Sequence, residues 1–288
     1  MGTLGTPGIQ PPSGITRLRG IARAVSERLG RESTLIRALR PIYDWTLHAL
    51  TLGRGVPILL NGRDPLRIDP RYRTHFPEIY DPEVFAFLRD ATRPDDIVLN
   101  VGANIGIYAL CLGRWTGSSG RVFAFEPNPA ARRILERHVR LNRMADAVEV
   151  LGLAVSDRTG TAPFFAVGIE GYSRLDRPNP GVTRVDVISV AVTTLDAFCA
   201  ERGLRPDSIV LDVEGHETAV LRGARGVLAG RGGRVRIVVE MHPMLWPSLG
   251  TSSEEMQQVL DDLRLVPRAL QGQRDPVREY GIVALEAQ

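Results

Sequence analysis

Residues 96 to 126 constrain this chain more than any other stretch. They read as a strand, a glycine turn, a helix, a second strand and then an acid. The run Ile97-Val-Leu-Asn-Val101 is short, mostly apolar and partly β-branched, which suits a strand buried on both faces of a parallel sheet. Val101-Gly-Ala-Asn-Ile-Gly106 follows, with Gly102 and Gly106 letting the chain turn sharply from strand into helix and bringing backbone close to a ligand. After Val122-Phe-Ala-Phe125 comes Glu126, 20 residues beyond Gly106 and placed to accept hydrogen bonds from ribose hydroxyls. This is the layout of a nucleoside-binding half-site. A dinucleotide fold would want glycine at position 104, where backbone must touch a pyrophosphate, and the residue there is Asn104. A cofactor with a ribose and no phosphate fits better, and S-adenosylmethionine (SAM) is the common one.

Five ordered blocks narrow the reading: Val101-Gly-Ala-Asn-Ile-Gly, Phe125-Glu-Pro-Asn-Pro, Leu153-Ala-Val-Ser-Asp, Thr193-Thr-Leu-Asp196 and Leu211-Asp-Val-Glu-Gly-His-Glu217. Within residues 80 to 245 they resemble the FkbM-type SAM-dependent methyltransferases. The resemblance implies a class I methyltransferase fold, a Rossmann-like α/β architecture with a mostly parallel seven-stranded sheet covered by helices on both faces. It also implies, for most members, O-methylation of a hydroxyl on a sugar, glycan or secondary metabolite. Many relatives carry aspartate where this chain has Asn100. The uncharged side chain weakens contact with the methionine ammonium, or leaves it to backbone carbonyls and a water.

The 288 residues, 43% of them hydrophobic, suffice for one α/β core and a small accessory region. No run of about 18 apolar residues is present, so no transmembrane helix is expected. Nor does the N-terminus hold an apolar signal core. Cys111 and Cys199 lack metal-ligand spacing and read as buried small hydrophobes in a reducing cytoplasm. Charge is unevenly spread. Residues 1 to 60 hold eight arginines against Glu27, Glu32 and Asp44, which leaves 28 basic against 30 acidic residues elsewhere. A main domain of that balance is not a nucleic-acid binder by charge.

Residues 1 to 15 read as a flexible terminus and 16 to 80 as a helical and hairpin accessory region, with the catalytic domain at 81 to 288. Between Thr16 and Leu52 apolar residues recur at helical spacing with arginines between them, which predicts two amphipathic helices interrupted near Pro41. Such helices pack as a lid on their own domain, or lie on a membrane. A hairpin is expected to turn at Asn61-Gly62. The core is then expected to alternate strands and helices, with an irregular insertion over 157 to 192 that carries short strand-like pieces around Thr161 to Ala166 and Val185 to Val192, and one helix over 216 to 229. In such a sheet ligands bind at the carboxyl ends of the strands.

The expected cofactor residues are Asn100, Val101, Gly102, Ala103, Asn104 and Gly106 on the methionine and ribose side, Glu126 with Pro127 on the ribose, and Asn128, Leu153 and Ala154 at the adenine. Asp212 ends the strand Ile209-Val-Leu and points into the same cleft, where an unpaired carboxylate is costly unless a ligand, proton or metal satisfies it. It is the leading candidate for catalysis. His242 ends the next strand and can accept a hydroxyl proton near neutral pH, although a structural role explains it almost as well. Glu214 and Glu217 begin a helix, where acids oppose the dipole; Glu214 is retained as a catalytic candidate and Glu217 is read as dipole-stabilising. His216 is expected to support that helix start, and His138 to face solvent. No cluster has zinc spacing, while Asp212, Glu214 and Glu240 offer the hard oxygen ligands that suit magnesium. Tyr172, Ser173 and Arg174, in the insertion, are the candidate acceptor contacts.

Two other functions remain open at this level. A nicotinamide-dinucleotide oxidoreductase shares the half-site but wants glycine at 104. A catalytically silent SAM-binding partner keeps Gly102 and Glu126 and needs no base.

Overall fold

The computed structural model describes residues 28, 33–230 and 235–288. The chain divides into two compact units, Met1–Tyr80 and Asp81–Gln288. In the first unit, α1 (Thr34–Leu50) accommodates Pro41 without ending, and Arg73 Nε reaches Asp44 of this helix at 2.5 Å. The expected earlier helix lies outside the described residues. Strands β1 (Val56–Leu60) and β2 (Asp64–Ile68) form an antiparallel hairpin that turns at Asn61-Gly62. The Asn61 side chain fixes the turn, donating to the Tyr80 carbonyl and accepting from the Tyr80 amide, both at 2.8 Å.

The second unit begins with α2 (Pro82–Ala91), then alternates β3 (Ile97–Val101), α3 (Ile107–Trp115), β4 (Arg121–Phe125), α4 (Pro129–Leu141) and β5 (Val148–Leu151). After an insertion come α5 (Leu195–Arg202), β10 (Ser208–Leu211), α6 (Glu217–Arg222), α7 (Arg225–Gly230), β11 (Arg236–Met241) and α8 (Ser253–Asp262), closed by β12 (Leu265–Ala269) and β13 (Gly281–Ala287). The insertion itself carries β6 (Leu153–Val155), β7 (Gly160–Ala166), β8 (Arg174–Leu175) and β9 (Asp186–Thr193). The central sheet has seven strands in the order β12-β13-β11-β10-β3-β4-β5, parallel from β11 to β5 and antiparallel at β13. Its apolar side chains, among them Leu99, Phe125, Leu211, Val239 and Val283, are buried together, and each contributes about 1.5 to 3 kcal/mol by leaving water. The chain runs to one side of β3 through β4 and returns on its other side through β10. That reversal opens a crevice at their carboxyl ends, where an α/β sheet takes ligands.

Two expectations need correction, and a third is sharpened. The strand-like pieces expected around 161 to 166 and 185 to 192 are β7 and β9. β6, β9, β7 and β8 form a second, four-stranded sheet with its own small core of Phe164, Leu175, Val190 and Val192. The helix expected over 216 to 229 is two helices, because a Cβ at Gly223 would sit 2.2 Å from the Ser156 carbonyl oxygen and the Asp196 carboxylate caps a new start by accepting from Gly226 and Val227. This gives the Leu153-Ala-Val-Ser-Asp and Thr-Thr-Leu-Asp196 blocks a packing role. His138 is fully buried rather than exposed, its Nδ1 2.8 Å from the Ile105 carbonyl.

Gly106 adopts φ +103°, and a Cβ there would lie 2.4 Å from Leu135 Cδ1, so this glycine lets α3 pack on α4. Gly106→Ala is therefore expected to cost about 1 to 3 kcal/mol through overpacking and backbone strain, read as a lower denaturant midpoint at unchanged slope. A midpoint equal to wild type would remove the packing explanation. Cys111 and Cys199 are both buried, and burial first, then the nearby Asp196, pushes the Cys199 thiol up to about 11. Among the described residues no helix is long and apolar enough to cross a membrane.

Candidate functional site

The crevice between the carboxyl ends of β10, β3 and β4 is lined by Val101, Gly102, Asn104, Glu126, Pro127, Asn128, Leu153, Ala154, Asp212 and Glu214, with Phe164, Ser173 and Leu175 contributed by the second sheet. Gly102 holds φ +81°, and a Cβ built on it would fall 1.6 Å from the Asp212 carbonyl oxygen. The glycine is thus demanded by the close approach of two backbone turns, not by ligand alone, and that approach sets Asp212 beside the glycine turn. The Asp212 amide donates to the Val101 carbonyl at 3.0 Å, extending the β3–β10 ladder by one residue.

Glu126 is almost wholly buried, and backbone groups fix its carboxylate. Oε2 accepts from the Asn104 amide and Oε1 from the Asn128 amide, each at 2.7 Å. Burial dominates these two hydrogen bonds and raises its pKa to about 7. Asn128 caps α4 by accepting from the Ala130 amide at its side-chain oxygen, while its side-chain Nδ2 donates to the Gly168 carbonyl at 2.7 Å and to Ser173 Oγ at 3.1 Å. The second sheet is tied to the crevice through this residue. Asn100 and Asn104 each hold a buried side-chain oxygen that accepts no hydrogen bond among the described residues.

Not every expected residue faces the crevice. Asn100 is buried within β3, Ala103 is buried with its amide donating to the Phe125 carbonyl, and Gly106 packs on Leu135. Of the three acceptor candidates only Ser173 lines it. Tyr172 is half exposed. Arg174 is fully buried and serves as a tie, donating to Ser248 Oγ at 3.0 Å. For Asn100 and Arg174 the cause is the alternation of side-chain direction along a strand, which turns the neighbours of Val101 and Leu175 away from the crevice.

A second group of side chains adjoins the crevice at the ends of β10 and β11. Asp212, Glu240 and His242 each offer one ligand atom, all within 4.8 Å of one another. Glu214 completes the cluster, its Oε2 4.0 Å from His242 Nε2, and Tyr280 donates its hydroxyl proton to Glu240. The expected trio Asp212, Glu214 and Glu240 is therefore altered, with His242 in place of Glu214. Burial, then the Glu240 carboxylate, raises the Asp212 pKa well above the usual carboxylate range, and burial raises Glu214 to about 7.

Glu217 begins α6, as its dipole reading requires, but its carboxylate also has partners that the sequence did not announce. It is fully buried, accepts from Gly215 N at 2.8 Å and Trp246 Nε1 at 2.6 Å, and lies 2.9 Å from His242 Nδ1. These bonds and the imidazole's charge overcome desolvation and lower its pKa. Burial opposes charge on His242, but the Glu217 hydrogen bond and the surrounding carboxylates overcome it and raise the ring to about 10. The Glu217 hydrogen bond fixes the ring, and Nε2 acts as a base or a ligand only once it has lost its proton. His216 stands at the N-cap of α6 without making a side-chain cap; it lines the crevice with Nε2 3.5 Å from Asp176, and burial lowers its pKa.

Residues 100–265, more than half of the chain, match the family described as the methyltransferase FkbM domain. The hexuronic acid methyltransferase AglP of Haloferax volcanii is 26% identical over 198 residues, covering 68% of this chain and 74% of that protein. The AMB antimetabolite synthetase AmbE of Pseudomonas aeruginosa is 42% identical over 82 residues, which are 28% of this chain and 4% of that protein. A solved FkbM methyltransferase from Methylobacillus flagellatus shares 15% identity at a TM-score of 0.42, covering 95% of this chain and 60% of its own. The chain thus spans a small part of AmbE, less than two thirds of the solved FkbM methyltransferase and about three quarters of AglP.

Proposed function

This chain belongs to the methyltransferase FkbM family, and we propose that it is a SAM-dependent methyltransferase acting on a hydroxyl of a sugar, glycan or secondary metabolite. The observation that carries the reading is Glu126, a carboxylate fixed by the Asn104 and Asn128 amides in a crevice shared with Asp212. Each of its oxygens keeps a lone pair for a ribose hydroxyl. The unpartnered side-chain oxygen of Asn104, which lines the crevice, is an acceptor, and a methionine ammonium is a donor, so the residues present fit this cofactor. SAM supplies an electrophilic methyl group on a sulfonium. Glu126 and the Asn104 region hold the nucleoside and amino-acid ends, and the crevice walls of Leu153, Ala154 and Phe164 exclude water. Asp212 and Glu214 stand where an acceptor hydroxyl must be oriented and relieved of its proton. The name of the archaeal relative puts sugar acids among the first acceptors to try.

Glu126→Gln is expected to weaken SAM by about 1 to 3 kcal/mol, because the neutral amide accepts more weakly than a carboxylate. The wild type should also show a pH signature. With its pKa at about 7, Glu126 takes up a proton as pH falls, and affinity should then drop by up to about tenfold per pH unit below neutrality. Titration calorimetry from pH 8 to 6 checks both; a pH-independent wild type, or a variant binding as tightly, places the cofactor elsewhere. The same instrument with nicotinamide dinucleotide separates the oxidoreductase reading, which Asn104 already disfavours. A mass-spectrometric screen for a one-methyl gain on sugar acids, with SAM present, tests turnover, and its failure across hydroxylated acceptors would favour a silent SAM-binding protein.

A further inference from the structure

We propose that Asp212, Glu240 and His242 form a binding site for a first-row divalent cation such as Mn²⁺, with Glu217 fixing the histidine from behind, and that the cation orients the acceptor hydroxyl. The last part rests on the reading of the preceding section; the site itself does not. Two ligands on one ion lie no further apart than twice the metal–ligand distance, roughly 4 to 5 Å for divalent cations, and the three candidate atoms all fall within 4.8 Å of one another.

The imidazole points to a ligand independently of the carboxylates. His242 is 5% exposed, yet among the described residues only its Nδ1 is hydrogen-bonded, to Glu217. Nε2 faces the cluster with Glu240 at 3.8 Å and Glu214 at 4.0 Å, too far for hydrogen bonds. A histidine whose one nitrogen meets a buried carboxylate while the other faces open ligand positions is the arrangement that orients metal-bound imidazoles. Glu217 is in turn locked by Trp246 and Gly215, so the ring has one orientation. Tyr280 stands behind Glu240 in the same way. Carboxylate oxygens with one imidazole suit manganese and its neighbours, and three protein ligands leave positions free for substrate and water.

Asp212 belongs both to this cluster and to the lining of the crevice, which puts the cation beside the reacting centre. A hydroxyl bound there becomes more acidic. Its proton passes to Glu214, the carboxylate that is not a ligand, and on to water. The oxygen forms its bond to the methyl carbon as the carbon–sulfur bond breaks, and that electron pair remains on sulfur.

The test uses the full chain, stripped with chelator and titrated with Mn²⁺ without acceptor, following loss of the free-ion electron paramagnetic resonance signal. One saturable equivalent is expected. Asp212→Asn and Glu240→Gln should each weaken it by about tenfold or more, Glu217→Gln by roughly 10- to 100-fold, and Glu214→Gln by only a few-fold. Glu240→Gln and Asp212→Asn keep shape and guard against a His242 variant that fails to fold. Absence of saturable binding, or binding untouched by Asp212→Asn and Glu240→Gln, overturns the site, as does a full loss in Glu214→Gln with the other two intact. Methyl transfer by a protein that binds no cation would sink this inference alone, whereas cation binding by a protein that never binds SAM would sink the methyltransferase reading alone.

Discussion

Glu217→Ala is expected to lower the unfolding free energy by about 3 to 5 kcal/mol, the cost of removing one partner from a buried ion pair. The substitution leaves the Trp246 indole N–H, the His242 ring and the Gly215 amide facing a cavity with no acceptor. Water cannot easily replace it, because Glu217 and Trp246 are fully buried. Tm should fall by roughly 6 to 20 °C for a domain of this size. Glu217→Gln keeps one oxygen and the volume, so it should recover part of the loss. Urea denaturation of the three proteins measures this, and a change under about 1 kcal/mol in the alanine variant would return Glu217 to the dipole role that its place at a helix start suggested.

Why that role was the natural reading is physical. Helix starts, glycine turns and buried strands are encoded within a few residues, so β3, the turn, α3, β4 and Glu126 were legible from the order of apolar and glycine positions. The partners of Glu217 are 25 and 29 residues further along, just past β11 and in the short 3-10 turn after it, and no local pattern announces them. Gly102 shows the same limit. Its positive φ was foreseeable, but the backbone it must clear belongs to Asp212, reached only through the β3–β10 pairing. The strands β7 and β9 were legible, but the second sheet they build was not, because β6 and β8 are only three and two residues long and the β7–β9 pairing spans a loop that no turn signal of its own identifies as a hairpin. What periodicity did convey was the edge on which chemistry would gather. Asp212, Glu240 and His242 were placed at strand ends and Glu214 at the helix start that follows one, and all four meet there. Their division of labour was not legible, since the carboxylates that act on His242, Glu217 first and then Asp212 and Glu214, are remote from it in sequence.

Asp212→Asn is expected to reduce kcat by about 100-fold or more while changing the dissociation constant for SAM only a few-fold. Asp212 is at the meeting point of the crevice and the acid–histidine cluster, and Glu126, not Asp212, holds the position suited to ribose. The substitution preserves volume and leaves the backbone contact with Val101 and Gly102 in place, so the geometry of the turn should survive. Stability supplies the discriminating readout. Desolvation and the neighbouring Glu240 oppose charge on Asp212, so a neutral residue there relieves repulsion, and the variant should be as stable as wild type or more so. A residue that costs stability and is kept for chemistry behaves in this way. A residue kept for structure would lose stability and activity together. Single-turnover rates at saturating SAM, set beside denaturant midpoints, separate the two. Full turnover in a stable Asp212→Asn would mean that orientation by the crevice alone carries the reaction, and the cluster at the ends of β10 and β11 would then need another purpose.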